Sequence, residues 1–190
     1  MARGRCSMLD EAARCTLLAL ARESLRAAMD SGALGFLPAR DYADALRAWR
    51  SSFVTLSRAG KLRGCCGRLE ADRPLVEDVW DNAYSSGFRD PRFEPLLAHE
   101  LQDLQIEISV LSPLEKLDVH GTDELLAVLV AQRDGLLLEH AGERVTFIPH
   151  VWEGVADPAT FVRLLREKAG WPADGWESDL QAWRFEAESF

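Results

Sequence analysis

Residues 53–67 read FVTLSRAGKLRGCCG, and the expected fold of the chain is built around this stretch. Its first part, Phe53–Leu56, is rich in residues that favour β-strands. Ser57–Lys61 then contains a glycine, which readily adopts the backbone conformations of a tight turn. The pattern predicts a β-hairpin whose second strand is Leu62–Leu69.

Helices are expected on both sides of this hairpin in the sequence. Ser7 and Asp10 stand in capping-box spacing, and apolar residues then recur at helical spacing to about Asp30. A short helix is predicted over Asp41–Arg50. Pro74 introduces another, because proline is favoured in the first turn of a helix. Its apolar face comprises Val76, Val79, Trp80, Ala83 and Phe88.

The second half of the chain shows further strand patterns. Apolar and polar residues alternate over Leu104–Val110, which predicts a half-buried strand. Leu125–Val130 and Gly135–Glu139 flank a turn sequence at Arg133–Gly135, and we expect them to form a hairpin. Val145–Ile148 predicts one more short strand.

The strongest helix signal lies near the C-terminal end. Asp157 is the expected N-cap, Pro158 the first residue, Lys168 part of the last turn and Gly170 the end. An aromatic tail follows, expected to pack as a strand or extended cover, made of Trp176, Trp183, Phe185 and Phe190. These elements predict an α+β fold with a mixed or antiparallel sheet flanked by helices.

Composition limits the size and class of the protein. With 190 residues, 28% of them charged and 8% aromatic, we expect one folded domain over residues 1–190, with a smaller subdomain within roughly 62–115. The formal charge is −9, but no acidic residue lies between Asp44 and Glu70. Six cations fall in that interval, and without them the remaining charge is −15: Arg47, Arg50, Arg58, Lys61, Arg63 and Arg68. An acidic body with one basic segment is a poor match to nucleic acid.

Four cysteines occur, at positions 6, 15, 65 and 66, and their spacing is not that of a secreted disulfide framework. The first fifteen residues lack the apolar core of a secretory signal, and no apolar run approaches the length needed to span a bilayer. We therefore expect a cytoplasmic protein with reduced thiols.

The adjacent cysteines are the first candidates for chemistry. In an extended strand, Cys66 shares a face with Leu62 and is expected to act as a small apolar residue. Cys65 shares a face with Arg63, and a neighbouring guanidinium favours the nucleophilic thiolate. Cys65 is therefore the candidate catalytic residue, and the alternative is that it serves only packing.

Other residues could form a binding site around Cys65. Gly64 and Gly67 bracket the two cysteines, and glycine within a strand marks a bulge or the close approach of a ligand or backbone. Glu107 and Ser109 project from the polar face of their strand, where a general base is one expectation and a surface or buried-bridge role is the other. The sequence leaves the cofactor unknown and disfavours a metal site: its four histidines show no HxxxH or HExxH spacing, and no CxxC pair or phosphate-binding glycine loop is present.

The hexapeptide LRGCCG at Leu62–Gly67 resembles the LRGCIG hallmark of the AmmeMemoRadiSam system protein A family, the AMME syndrome critical region domain. Cys66 takes the place where that family commonly has isoleucine, in agreement with an apolar position. Further landmarks follow in the family's order: FRDPRF at Phe88–Phe93, EISVLSPLE at Glu107–Glu115, TFIPHVWE at Thr146–Glu153 and LREKAGWP at Leu165–Pro172.

The resemblance implies an α+β fold with a larger and a smaller subdomain and a cleft between them, lined by the hallmark segment. The family's activity is not established. Its name implies a Memo-like protein and a radical S-adenosylmethionine (SAM) protein as partners. The FRDPRF match implies that Arg89, Asp90 and Arg92 lie beside Cys65 and bind a carboxylate or phosphate, the alternative being a buried Arg–Asp network.

Three functions remain open at this point. The first is an enzyme or enzyme component in which Cys65 is a nucleophile or redox thiol and Arg63, Arg89 and Arg92 hold an anionic substrate. The second is a non-catalytic module that uses the same cleft and the exposed sheet edge to dock a protein or a modified peptide. The third is nucleic-acid binding, which the overall charge disfavours.

Overall fold

The computed structural model describes residues 9–190 and confirms an α+β fold. Its helices are α1 (Glu11–Ser31), α2 (Asp44–Arg47), α3 (Leu75–Phe88), α4 (Thr122–Val128) and α5 (Pro158–Lys168). Its strands are β1 (Ser52–Arg58), β2 (Lys61–Gly67), β3 (Leu104–Leu111), β4 (Glu115–Leu117), β5 (Gly135–His140), β6 (Glu143–Phe147), β7 (Gln181–Phe185) and β8 (Ala187–Ser189). Short 3₁₀ turns lie at Ala98–Glu100 and Pro149–Gly154.

The chain forms two compact units, each with its own antiparallel four-stranded sheet. The first unit runs to Leu111 and includes Glu188–Phe190, whereas the second is Ser112–Ala187. Within the described range, no helix combines the length and the apolar character required of a membrane span.

The first unit contains the predicted hairpin. Its sheet has the order β2-β1-β3-β8, so β2 is an edge strand. Val54 pairs with Cys66 across the hairpin, and the turn residues Ala59 and Gly60 both have positive φ, at 49° and 74°. Strand β2 ends at Gly67, two residues before the predicted end. Helices α1 and α3 pack on this sheet around a core that includes Leu17, Leu20, Leu25, Leu56 and Val79.

Two boundaries in the first unit differ from those predicted. Asp10 is itself the N-cap of α1, accepting a hydrogen bond from Ala13 N, so it is not the third residue of a capping box. Ser7 and Cys6 lie outside the described residues. The helix predicted over Asp41–Arg50 is only the four-residue α2, because Ala48 adopts an extended conformation and its carbonyl accepts from Leu75 N.

The second unit contains a sheet of order β4-β7-β5-β6 with α5 packed beside it. Helix α5 confirms the predicted N-cap, since the Asp157 carboxylate accepts from Thr160 N at 2.9 Å. The rings of Trp152 and Phe161 stack in the core with centroids 3.9 Å apart. Trp183 and Phe185 of the aromatic tail lie in β7, in agreement with the predicted strand.

The hairpin predicted from Leu125–Val130 and Gly135–Glu139 is wrong. Leu125 is fully buried within helix α4, which begins at Thr122 with acidic residues in its first turn. Strand β5 instead pairs with β6 through a turn at Ala141 and Gly142. A short run of apolar residues fits a helix or a strand equally well. Here the acidic residues Asp123 and Glu124 in the first turn favour the helix.

Candidate functional site

The two adjacent cysteines of β2 point to opposite faces of the first sheet. Gly64 faces α3, and a Cβ added there would collide with the carbonyl oxygen of Ser86. Cys66, two positions further along, faces the same way, whereas Cys65 shares the opposite face with Thr55, its register partner on β1. Gly64 is therefore explained by the close approach of helix and strand.

The thiol of Cys65 is half-buried and lies against a hydroxyl. Its Sγ is 3.3 Å from Thr55 Oγ1, within hydrogen-bonding distance for sulfur. Its backbone is held on both sides: Cys65 N donates to Asp90 Oδ2 at 2.8 Å, and Cys65 O accepts from Arg92 Nη2 at 3.2 Å. The backbone of Cys65 is thus held in place, while its thiol remains partly open to solvent.

Asp90 and Arg92 form an ion pair beside this backbone. The buried carboxylate of Asp90 accepts from Arg92 Nε at 2.9 Å and from Arg92 Nη2 at 2.7 Å. These hydrogen bonds, with the one from Cys65 N, hold the pKa of Asp90 well below its usual range. The Arg92 side chain is 55% exposed, and within the described residues its Nη1 makes no hydrogen bond. Nη1 therefore has donors available to a ligand.

Cys66 occupies a more protected position than its neighbour. Its backbone N–H donates to Ser86 Oγ at 2.8 Å. Burial raises the pKa of the Cys66 thiol, and the charge of Asp90 raises it further. This environment suits the apolar position inferred for Cys66 from the sequence.

Arg63 is committed to a different partner. The β1–β2 register shifts between Leu56 and Ser57, which places Arg63 at a bulge where strict alternation of side chains fails. Its guanidinium donates to Glu100 through Nε at 2.8 Å and Nη2 at 2.9 Å. The pair lowers the pKa of Glu100 to about 2. The remaining nitrogen, Nη1, makes no hydrogen bond within the described residues but is buried, so the Arg63 guanidinium faces Glu100 and does not offer that donor to solvent as Arg92 does.

A groove of about 660 Å³ lies beside that ion pair, at the end of the hairpin. Its lining residues come from the end of β1, the hairpin turn, the edge strand β2 and the segment from Glu100 to the start of β3. They are Arg58, Ala59, Lys61, Leu62, Arg63, Glu100, Asp103 and Gln105. Cys65 is not among them. The groove and the thiol are therefore separate features of the first unit.

The remaining predicted residues are dispersed. Arg89 is exposed and lies over the ring of Tyr84 at 4.8 Å. Glu107 is exposed and pairs in register with Thr55 on the face of Cys65. Ser109 is buried, and its hydroxyl is hydrogen-bonded to that of Ser189 at 2.8 Å.

Gly67 is packed so closely that an added Cβ would collide with the Phe53 ring. Of the predicted set, the structure brings Cys65, Asp90 and Arg92 into direct contact.

Sequence reasoning missed the residues that support this site. Thr55 and Glu100 gave no local signal, because their partners are distant in the chain. Asp78, Asn82 and Ser86 did give one, since three polar residues spaced by four lie on the buried side of α3. In the described range, no group of three or more His, Cys, Asp or Glu residues is placed to hold a metal ion.

Comparison with known proteins places these features in a family context. A family model described as AMMECR1 matches residues 18–190. A protein from Methanothermobacter thermautotrophicus is 36% identical over 152 residues, covering 79% of each chain. Another from Thermofilum pendens is 32% identical over 187 residues, covering 92% of this chain and 87% of the relative.

A solved structure has the same fold. The crystal structure of uncharacterized protein PH0010 from Pyrococcus horikoshii superposes with a TM-score of 0.86 at 31% identity. The match covers 95% of this chain and 92% of that one. The match therefore includes residues of both units.

Proposed function

This chain belongs to the AMMECR1 family, and from that premise we propose that it is a cysteine-dependent enzyme or enzyme component with Cys65 as its reactive thiol. The observation that carries the proposal is the half-buried Sγ of Cys65 beside Thr55 Oγ1, on a backbone fixed by Asp90 and Arg92. Catalytic nucleophiles need both access to solvent and a fixed geometry.

We assign the substrate to the class of anionic electrophiles. Arg92 supports this assignment, because its Nη1 donors are available while Nε and Nη2 remain bonded to Asp90. In the proposed step, the Cys65 sulfur forms a bond to an electrophilic carbon. The leaving group departs with its bonding electrons, and the thiol proton passes to water. Arg63 is assigned a structural role through Glu100, and Arg89 is not required.

The proposed setting is a modification pathway shared with a Memo-like protein and a radical SAM protein. This part rests on the resemblance of the LRGCCG segment and of the ordered landmarks that follow it. Co-purification of the full chain with each of those proteins tests it. Absence of both associations would remove the partners and leave the thiol chemistry to stand by itself.

Site-resolved alkylation tests the role of Cys65. The folded protein is treated with iodoacetamide at neutral pH, and labelling of each cysteine is followed by peptide mass spectrometry. Cys15, an exposed thiol on α1, supplies an internal reference. We expect Cys65 to react at least as fast as Cys15 despite its lower exposure, and Cys66 to react most slowly. A Cys65 rate far below that of Cys15 overturns the proposal.

A protein-docking module is the second candidate, and one observation favours it. Leu62 and Leu97 are 45% and 58% exposed, Leu62 lines the groove, and Leu97 N bonds to Glu100. At Cys65, however, Asp90 and Arg92 already occupy the backbone groups that an added strand would need. A Cys65→Ser variant that retains full cellular activity while Leu62→Asp loses it would favour docking.

Nucleic-acid binding has less support than either. The cations Arg47, Arg58, Arg63 and Arg68 all face carboxylates of the same chain. Their charges are therefore largely neutralised before any phosphate could approach.

A further inference from the structure

Helix α3 carries a stripe of polar side chains on its buried side. Asp78, Asn82 and Ser86 are spaced by four, so they lie above one another on one helix face. All three side chains are buried, in a helix whose other buried residues are mainly apolar. We call these three residues the α3 stripe. Buried polar groups need partners, and here the partners belong to the β1–β2 hairpin.

Ser86 connects the stripe to both strands of that hairpin. Its Oγ accepts from Cys66 N at 2.8 Å and lies 2.7 Å from Val54 O and 2.8 Å from Asn82 O. A hydroxyl has one proton, so Ser86 donates to one of those two carbonyls at a time. Val54 and Cys66 are register partners, and the Ser86 hydroxyl therefore lies where the two strands pair.

The other two stripe residues fasten the start of β1. Asp78 Oδ2 accepts from Ser52 N at 2.7 Å and from Ser52 Oγ at 2.6 Å. Asn82 Nδ2 donates to Ser52 O at 3.0 Å and to Asp78 Oδ2 at 2.8 Å. Asp90 lies four positions beyond Ser86 and bonds to Cys65 N, which continues the same series of contacts past the end of the helix.

We infer that the α3 stripe is a positioning element that makes Cys65, and not Cys66, the reactive thiol. The inference rests on the proposed function, because it presupposes that Cys65 reacts. It adds the reason why one of two chemically identical neighbours is selected.

The register of β2 decides which of the two thiols faces Thr55. A slip of β2 by one residue would turn Cys66 to the face of Thr55 and Cys65 towards α3. The hairpin already contains a bulge beside Arg63, so its pairing is irregular just before the cysteines. Ser86 Oγ accepts a hydrogen bond from Cys66 N. The backbone carbonyl of Ser86 leaves room only for a glycine at position 64. A slipped strand would bring a side chain into that space and would leave the buried Ser86 hydroxyl without this donor.

Site-resolved alkylation of two serine variants tests the inference. Ser86→Ala removes the stripe hydroxyl. Ser85→Ala, one position away on the same helix and outside the stripe, is the matched control. In the wild-type protein we expect Cys65 to be labelled at least about tenfold faster than Cys66, because Cys66 faces helix α3 whereas Cys65 faces away from it. We expect Ser86→Ala to reduce this ratio at least about threefold, towards equal labelling, and Ser85→Ala to leave it unchanged.

Two further measurements separate register from general stability. Ser86→Thr retains a hydroxyl and should restore the wild-type ratio, whereas a purely global loss of stability would accelerate labelling of both thiols. Amide hydrogen exchange in the wild-type protein should find Cys66 N strongly protected, and this readout requires no variant to fold.

The possible outcomes are distinct. An unchanged Cys65-to-Cys66 ratio in folded Ser86→Ala, or rapid exchange at Cys66 N, overturns the positioning role alone. A wild-type Cys65 far slower than Cys15 overturns the proposed function, whatever the variants do.

Discussion

The backbone N–H of Cys65 donates a 2.8 Å hydrogen bond to the carboxylate of Asp90, a residue 25 positions away in the chain. The same carboxylate is paired with Arg92, which returns a hydrogen bond to the Cys65 carbonyl. The FRDPRF segment thus binds both the backbone N–H and the backbone carbonyl of Cys65 on the edge strand. The ion pair is part of the scaffold of the site, and only the outer edge of Arg92 remains for a ligand.

Asp90→Asn should destabilise the first unit. The neutral amide cannot accept both from Cys65 N and from the two nitrogens of Arg92 with the same strength. We expect a loss of about 1–3 kcal/mol in the free energy of unfolding by urea denaturation. Glu94→Gln, an exposed change in the same loop, is the control and should have little effect. Equal stability of both variants would contradict a structural role for the Asp90 carboxylate.

Arg92 should also favour negatively charged reagents at Cys65. In Arg92→Ala, we expect the iodoacetate rate at Cys65, divided by the iodoacetamide rate, to fall roughly fivefold, which corresponds to about 1 kcal/mol of charge interaction. Iodoacetamide is neutral, so dividing by its rate cancels any change in the exposure of Cys65 or in the stability of the variant. Arg89→Ala should leave the ratio unchanged, because Arg89 lies over the Tyr84 ring. A ratio unaffected by Arg92→Ala would remove the anionic substrate from the proposal.

Asp78 should make stability depend on pH in an unusual direction. Burial raises the pKa of Asp78 to about 6, whereas in the unfolded chain it returns to about 3.9. Between these values the folded protein holds a proton that the unfolded chain has lost, so this contribution to stability declines as pH rises from about 4 to about 6.

The comparison with Asp78→Asn isolates that contribution. The wild-type protein should lose up to roughly 3 kcal/mol relative to the variant across this pH interval, measured by urea denaturation at several pH values. Arg68 and Arg73 lie nearby and lower the pKa of Asp78, but burial outweighs them and the pKa stays raised. A stability difference that is flat from pH 4 to 7 would contradict the raised pKa.

Glu100 should show the opposite dependence. Arg63 lowers the pKa of Glu100 to about 2, so its contribution is present above about pH 4.5 and is lost as the pH falls towards 2. In Glu100→Gln, that acid-dependent loss should be absent, and Cys65 alkylation at neutral pH should change little because Arg63 does not serve the thiol. A large change in the Cys65 rate would contradict the conclusion that the Arg63–Glu100 pair is separate from the thiol.

Gly64→Ala should be strongly destabilising, since its Cβ would collide with the Ser86 carbonyl oxygen. We expect a loss of at least about 2 kcal/mol by thermal or urea unfolding, as is typical of overpacked sites. Gly154→Ala is a suitable control, because nothing lies within 4 Å of an added Cβ there. A tolerated Gly64→Ala would mean that α3 and β2 are not in such close contact.

Local patterns in the sequence predicted much of the fold. The hairpin of residues 53–67, the helix after Pro74, the alternating strand from Leu104 and the Asp157 cap all depend on neighbours in the chain, and the structure contains each of them. The apolar run at Leu125 was misassigned because its pattern fits two structures. The number of sheets was also beyond reach, since strand pairing depends on contacts between distant residues.

The candidate site was predictable only in part. The resemblance placed Asp90 and Arg92 beside Cys65, and the structure has them in contact. The prediction that Arg63 lies beside Cys65 assumed a regular strand, whereas β2 has a bulge at Arg63. Glu100 as its partner depends on a contact across 37 positions, which no local pattern reveals.

The most direct test of the account compares Cys65 in the folded and unfolded protein. Iodoacetamide rates at Cys65 and Cys15 are measured at neutral pH in buffer and in urea. If the fold prepares Cys65 for reaction, its rate relative to Cys15 should be higher in the folded protein than in urea. A Cys65 that reacts readily only after unfolding would contradict the central claim.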